Sequence, residues 1–229
     1  MKKKETLIDF DDYVDTYEGV LKNQLGFFVN NRDYYSEYKV NIAAEICSKR
    51  SVDRILDFGC GIGLSFPFLK KYFPDSILFG SDTSAESLNY VKQNFDYVEV
   101  IESIENSKIE FDLIFITGVF HHIEINDRPD VIKLLFRLLK KNGKLIVFEH
   151  NPYNPLTRRI VSNCEFDADA NLISQTALKN LFRNNSKFSV SRCGYTLFFP
   201  EFMGGLRAIE RRLRWLPLGG QYFVVAEKL

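Results

Sequence analysis

Apolar residues fall along this chain in two rhythms. Near the N-terminus Phe10, Tyr13, Val14 and Tyr17, then Val20, Leu21 and Leu25, recur every three to four positions, the spacing of one helical face. Tyr34, Tyr38, Ile42, Ala43 and Ile46 repeat that spacing and predict a second helix over about 32–49. Beyond residue 50 short apolar runs alternate with helical stretches. Strands are predicted at 53–58, 77–81, 97–101, 111–117 and 143–149, with helices at about 63–72, 84–94 and 127–141. The connection 102–110 is too short and polar for a full helix. Such alternation predicts a parallel sheet with right-handed crossovers. Past 150 the pattern loosens. Residues 156–172 are irregular, Ser174 caps a helix reaching about 182, and Phe188 to Cys193 alternates like a strand. Residues 195–200 would cross the mouth of a pocket. Leu206, Ile209, Leu213 and Leu216 share a helical face, and a terminal strand starts at Gln221 after Gly219-Gly220.

The turns between these elements bring in chemistry. Ile55-Leu56-Asp57-Phe58-Gly59-Cys60-Gly61-Ile62-Gly63 is a buried strand with one carboxylate, then three glycines at alternate positions before a helix. Glycine has no Cβ, so a ligand can lie against the backbone there. Strand, glycine turn and helix N-terminus together suit the polar end of a nucleotide-like cofactor. Ile77 to Asp82 is a second strand ending in an acid, a little over twenty residues past Gly59. From that place a carboxylate can hold ribose hydroxyls; capping the next helix is its other use. Leu64 stands where a dinucleotide fingerprint has its third glycine, and no Gly-Lys-Ser/Thr follows, which excludes a P-loop.

The spacing Asp57-x-Gly59-x-Gly61-x-Gly63, followed by Asp82, resembles the first two motifs of class I S-adenosylmethionine-dependent methyltransferases. Phe111-Asp112 opening a strand, then Thr117-Gly118-Val119-Phe120-His121-His122-Ile123, resembles the family's fourth strand and following loop. The helix ending in Lys141-Asn142-Gly143, where Asn142 replaces a usual proline, resembles the next unit. The likeness is strong over roughly 50–150 and loose outside. It implies an α/β fold: a Rossmann-like three-layer sandwich, with a mostly parallel seven-stranded sheet, an antiparallel last strand between strands five and six, and an N-terminal helical lid. One domain is expected over 1–229, with 1–50 as lid, 51–150 as cofactor core and 151–229 as acceptor side. The implied cofactor is S-adenosyl-L-methionine. Its implied contacts are Asp57, Gly59, Cys60, Gly61 and Gly63 at the methionine end, and Asp82 with Thr83 at the ribose. Glu102 and Ser103 are implied at the adenine, Thr117 and Gly118 beside the sulfonium, and Tyr17 of the Tyr17-Glu18 pair from the lid. Without the resemblance, the N-terminal aromatics read as packing residues and Glu102-Ser103 as an ordinary polar loop.

Histidines carry the candidate chemistry of transfer. His121 is the candidate to face the acceptor, and the resemblance implies that His122 is structural, in the core. His150, after strand five, is a candidate general base for an acceptor hydroxyl, in a loop stiffened by Pro152 and Pro155. The His121-His122 pair does not have metal-ligand spacing, since adjacent side chains diverge and only Glu124 is near, so no metal is expected. Asn151-Pro152-Tyr153 resembles the Asn-Pro-Pro-Tyr of adenine-N6 methyltransferases, but it follows the wrong strand and lacks the second proline.

Composition narrows the partners. Thirty basic and thirty acidic residues in 229 cancel, which argues against a bulk electrostatic grip on nucleic acid. The four cysteines, Cys47, Cys60, Cys164 and Cys193, show neither metal spacing nor a disulfide framework. No apolar run is long enough to span a bilayer and no signal-peptide core follows Met1, so a cytoplasmic enzyme is expected. The acceptor is expected to be a small molecule, methylated on a hydroxyl of a metabolite or saccharide. Arg158, Arg159 and the arginines of 207–214 would suit a phosphate-bearing or lipid-linked acceptor, and segment 205–216 a peripheral membrane contact. Two alternatives stay open: C- or N-methylation of a lipid, quinone or polyketide precursor, and a non-catalytic cofactor-binding subunit.

Overall fold

The structure is a computed structural model that describes residues 32–164, 167, 170–185 and 187–229. Tyr17 and the helix expected over residues 10–25 lie outside the described residues. In chain order the elements are α1 (Arg32–Cys47), β1 (Arg54–Phe58), α2 (Phe66–Tyr72), β2 (Ile77–Ser81), α3 (Ala85–Asn94), β3 (Val98–Val100) and β4 (Phe111–Thr117). Then come α4 (Arg128–Leu138), β5 (Leu139–His150), α5 (Pro155–Ser162), α6 (Gln175–Asn185), β6 (Phe188–Thr196), α7 (Arg207–Leu213) and β7 (Gln221–Lys228). The sheet order is β3-β2-β1-β4-β5-β7-β6. β1 to β5 pair in parallel, and β7 runs antiparallel between β5 and β6.

Strand residues alternate between two cores. Leu56, Ile114, Ile116, Leu145 and Val147 face the layer holding α4 and α6, through Ile132, Leu135, Leu178 and Phe182. Ile55, Leu113, Phe115, Ile146 and Phe148 face the other layer, through Ile42 and Ala43 of α1, Leu69 of α2 and Leu88 of α3. Strands buried on both faces explain why their sequences read as near-continuous apolar runs. The strand order changes direction at β1 and β4, whose C-terminal ends therefore border the crevice where open α/β sheets bind ligands.

Local chemistry sets most of the element ends. Ser84 Oγ accepts from Ser87 N at 3.0 Å and starts α3. Ser174 Oγ accepts from Ala177 N at 3.2 Å and starts α6. At the opposite edge of the sheet Asp112 Oδ2 accepts from Asp53 N, Arg54 N and Lys140 Nζ, which ties β1, β4 and β5 together.

Three expectations are corrected. First, the helix expected to reach residue 141 ends at Leu138, because buried Leu139 already pairs with Phe111. Asn142 then takes the left-handed conformation (φ 62°) inside a bulge, and pairing resumes with Lys144 opposite Leu113. Second, the stretch read as irregular contains α5. Asn154 Oδ1 accepts from Leu156 N and Thr157 N at 2.9 and 3.0 Å, and Pro155 fits the first turn.

Third, the C-terminal helix spans only Arg207–Leu213, and the residue it buries is Glu210, not one of the apolar residues that share a face. Ile209 is largely exposed, whereas Glu210 is 1 % exposed. The Glu210 carboxylate accepts from Tyr38 Oη of α1 and from Phe198 N and Phe199 N at 2.9 and 3.1 Å. Arg214, Arg211 and Arg192 converge on Glu45 of α1, and Arg207 lies 3.4 Å from the ring centroid of Tyr34. Most of the basic cluster therefore clamps the C-terminal segment onto α1. Among the described residues no helix is long and apolar enough to cross a membrane.

Glu210→Ala leaves a buried hydroxyl and two backbone N–H groups without an acceptor. It is expected to lower stability by about 3 kcal/mol in urea denaturation. A loss below ~0.5 kcal/mol would show that water replaces the carboxylate.

Candidate active site

A cavity of about 860 Å³ runs along the C-terminal edge of the sheet, from the turn after β1 to the loops after β4, β5 and β6. The glycine turn forms one end. Gly59 N and Cys60 N donate to Ser81 O at 2.8 and 3.0 Å, which bends the chain against the end of β2. Gly59 has φ 71°, and a Cβ there would sit 2.5 Å from Val119 Cγ2, so only glycine fits. Gly61 has φ 50°, yet a Cβ there would meet nothing within 4 Å, because that side faces the cavity. Gly63 lies behind the turn against Phe66 and Phe95, and Cys60 is buried in it.

Asp82 lines the cavity and holds the turn. Its Oδ2 accepts from Gly61 N at 2.7 Å and its Oδ1 from Ser84 N at 3.0 Å. Both readings of Asp82 thus meet in one side chain: it caps the α3 entry and still offers each oxygen a second acceptor position. Thr83 is beside it on the cavity wall. Glu102 also lines the cavity but is paired with Lys92 at 2.5 Å, and Ser103 does not reach the wall; Ile104 does. Thr117 and Gly118 (φ 68°) form the middle of the wall.

Asp57 sits beneath the turn, 1 % exposed and off the cavity wall, with neither carboxylate oxygen in a hydrogen bond. Burial pushes its pKa up to about 7, with the Asp82 charge adding to the rise and the nearby Ser65 hydroxyl and Lys39 opposing it. Lys39 of α1 lines the cavity beside it. Burial lowers the Lys39 pKa to about 8, against the pull of Asp57 and Glu149. Lys39 is a site residue that sequence reading missed.

The far end is a cluster of histidines and acids. Glu149, 1 % exposed near the end of β5, accepts through Oε1 from Val119 N (2.9 Å) and Phe120 N (2.7 Å). Its Oε2 lies 2.7 Å from His121 Nδ1, and His121 Nε2 lies 3.2 Å from Asp167 Oδ1. Burial works against charge on His121, yet Glu149 and Asp167 outweigh it and raise its pKa to about 10. His121 lines the cavity as expected, but as an imidazolium with both nitrogens engaged, a poor acceptor for a proton. His122 is half-buried beside it, with Nε2 3.5 Å from Asp167. The loop is fixed from outside as well. Asn171 N donates to His121 O at 2.7 Å, and buried Arg128 donates to Ile123 O and Asn171 O.

His150 closes the cluster, its ring centroid 5.1 Å from that of His121. It is the last residue of β5, paired with Gln221 of β7, so the sheet and not a proline-stiffened loop holds it. Burial, then the charge on His121, lowers its pKa to about 4, so it presents a neutral ring. Leu197, Phe198, Phe199, Leu156 and Ile160 give this end an apolar roof. Arg158 and Arg159 line a separate hollow that Asp167 also borders.

Residues 30–186, well over half of the chain, match the methyltransferase domain family. The chain belongs to that family. A demethylmenaquinone methyltransferase of Thermotoga maritima is 25% identical over 154 residues, which cover 66% of this chain; the chain spans 64% of that relative's length. In fold this methyltransferase-family chain resembles a SAM-dependent methyltransferase of Thermotoga maritima (TM-score 0.67, 20% identity, 96% of this chain and 98% of the other). It also resembles a plantazolicin methyltransferase in complex with SAH (TM-score 0.65, 16% identity, 96% and 95%). The seven-stranded order and the antiparallel β7 agree with the fold that the sequence resemblance implied.

Gly59→Ala and Gly61→Ala separate the two glycines. The first is expected to cost about 2–4 kcal/mol, from the left-handed backbone and the Val119 contact. The second is expected to cost only the ~1 kcal/mol of backbone strain. Equal losses in urea denaturation would refute the assignment of Gly61 to ligand space.

Proposed function

We propose that the chain is an S-adenosylmethionine-dependent methyltransferase acting on a hydroxyl of a small, largely apolar acceptor. The observation that carries this reading is one continuous cavity with a charged, glycine-walled end and a histidine-bearing apolar end. The residues at the first end fit the cofactor. Open space at Gly61 leaves room for its backbone-hugging tail, with Lys39 on the cavity wall and the Asp57 carboxylate just beneath the turn as opposite charges for the zwitterion. Asp57, without a hydrogen bond, favours the ammonium, and Lys39 the carboxylate. Asp82 has acceptor positions left for ribose hydroxyls. Ile104, Val131 and Leu134 offer apolar contact for a base. Tyr17 and Glu102 keep the roles the resemblance implies, at the lid and the adenine.

When bound, S-adenosylmethionine supplies an electrophilic methyl carbon and leaves as a neutral thioether. The chain has to hold a hydroxyl in line at near-attack distance and keep water away. Leu197, Phe198 and Phe199 exclude water from above. His150 orients the hydroxyl by accepting its hydrogen bond. Methyl transfer would leave the acceptor oxygen still carrying its hydroxyl proton, as a protonated ether that has to lose it. That species is a far stronger acid than an imidazolium with a pKa of about 4, so His150 takes the proton although burial makes it a weak base. His121 stays protonated between Glu149 and Asp167 and serves to hold the loop.

The apolar roof also accommodates a quinone-like ring, consistent with the demethylmenaquinone methyltransferase named above. The arginines do not favour a phosphate-bearing acceptor, since Arg158 and Arg159 face a different hollow and Arg211 and Arg214 are paired to Glu45.

His150→Ala is expected to lower kcat about 10²-fold or more while leaving SAH affinity intact by calorimetry; full turnover on an identified acceptor would end its role as base. Asp82→Ala is expected to weaken SAH about tenfold or more. Because Asp57 is protonated below about pH 7 and only its ionised form attracts the ammonium, SAH affinity should rise with pH from about 5.5 to 7.5. Asp57→Asn should flatten that rise, and an unchanged slope in the variant would remove Asp57 from the tail site.

A further inference from the structure

All three histidines of the chain meet at one end of the cavity. Proton transfer uses one of them. His121, His150 and Asp167 come from the loop after β4, the end of β5 and the segment between α5 and α6. Each offers one ligand atom, and these atoms lie within 4.8 Å of one another. Neighbours within the chain do not set this spacing; the tertiary fold brings the three together.

The surroundings suit an ion. His121 Nδ1 faces Glu149 Oε2 at 2.7 Å, and Glu149 is itself pinned by Val119 N and Phe120 N. A carboxylate behind one imidazole nitrogen is the arrangement that fixes the tautomer of a metal-bound histidine, and an ion at the other nitrogen replaces the proton that His121 otherwise holds there, which is released on binding. That other nitrogen, Nε2, already stands 3.2 Å from Asp167 Oδ1. Ligand atoms around a tetrahedral ion with bonds of ~2.1 Å stand about 3.4 Å apart. The His121–Asp167 pair therefore has the spacing, and the adjustment falls on His150. Among the described residues the His150 ring makes no hydrogen bond that would resist it. All three side chains line the cavity, so the ion has an entry path and open coordination positions.

We propose that His121, His150 and Asp167 bind a divalent transition-metal ion, zinc foremost, at the acceptor end of the cavity. Two imidazoles and one carboxylate are borderline donors that suit zinc or iron(II) better than magnesium or calcium, which favour all-oxygen sets. Three protein ligands leave a fourth position open. If the methyltransferase reading holds, an acceptor hydroxyl fills that position. The ion would then acidify it, and His150 would serve as a ligand instead of a base.

The test uses tag-free, full-length protein stripped with chelator and titrated with cobalt(II), read by its visible absorption, and with zinc, read by calorimetry. Wild type is expected to take up one equivalent. His150→Ala and Asp167→Asn are each expected to weaken zinc at least 100-fold. Glu149→Gln, which touches no ion, is expected to weaken it about 10–100-fold. SAH affinity, measured on every variant, reports that the fold is intact. No uptake by wild type, or variants that bind zinc as wild type does, would overturn the metal site. Intact SAH binding in that case leaves the methyltransferase reading standing. Absent SAH binding in wild type sinks that reading, whatever the metal result.

Discussion

The site depends on one buried carboxylate. Glu149 stands at the end of a central strand with almost no solvent contact, where an isolated charge would be prohibitively costly. It is tolerated because two backbone N–H groups and an imidazolium surround it. Those same contacts decide where the loop after β4 goes. Val119 and Phe120 are drawn in, His121 is turned to the cavity, and Val119 closes over the glycine turn so tightly that Gly59 cannot carry a side chain. Removing one partner of such a group costs several kcal/mol, since what remains is an unpaired buried charge. Both ends of the cavity thus share one electrostatic anchor.

The fold was largely legible in the sequence, and for local reasons. Period-two and continuous apolar runs mark the strands, and the glycines of 59–63 announce a turn whatever surrounds it. Ser84 and Ser174 cap helices through bonds only three residues long. Where the reading failed, a distant contact had overridden the local pattern. Leu139 looked helical until its pairing with Phe111 is considered. The spacing of 206–216 put four apolar residues on one helical face, yet the buried anchor is Glu210, held by Tyr38 from more than 170 residues away.

The site divides in the same way. Gly61, Asp82, Thr117, Gly118 and His150 carry their position in short motifs, and each lies on the cavity wall. Lys39 and Asp167 carry no motif, and nothing nearby in the sequence distinguishes them from surface charges. His121 was identified as a candidate but not in its protonation state, because the two carboxylates that set it come from a strand and a segment far along the chain. Sequence spacing argued against a metal for the same reason: adjacent histidines are a poor site until the sheet adds a third histidine and an acid.

What remains is the distribution of unsatisfied groups. Buried polar atoms in a folded protein are nearly always paired, and between α1 and α7 the carboxylates follow that rule, where Glu45 and Glu210 gather three arginines, a tyrosine and two backbone amides. It breaks the rule around the cavity. Asp57 holds two oxygens without a donor, and burial keeps Lys39 and His150 less charged than water would. Each of these groups destabilises the empty fold and each is relieved by a bound charge or proton donor. Charged groups left uncompensated along a ligand-sized crevice are the pattern expected when stability has been exchanged for binding.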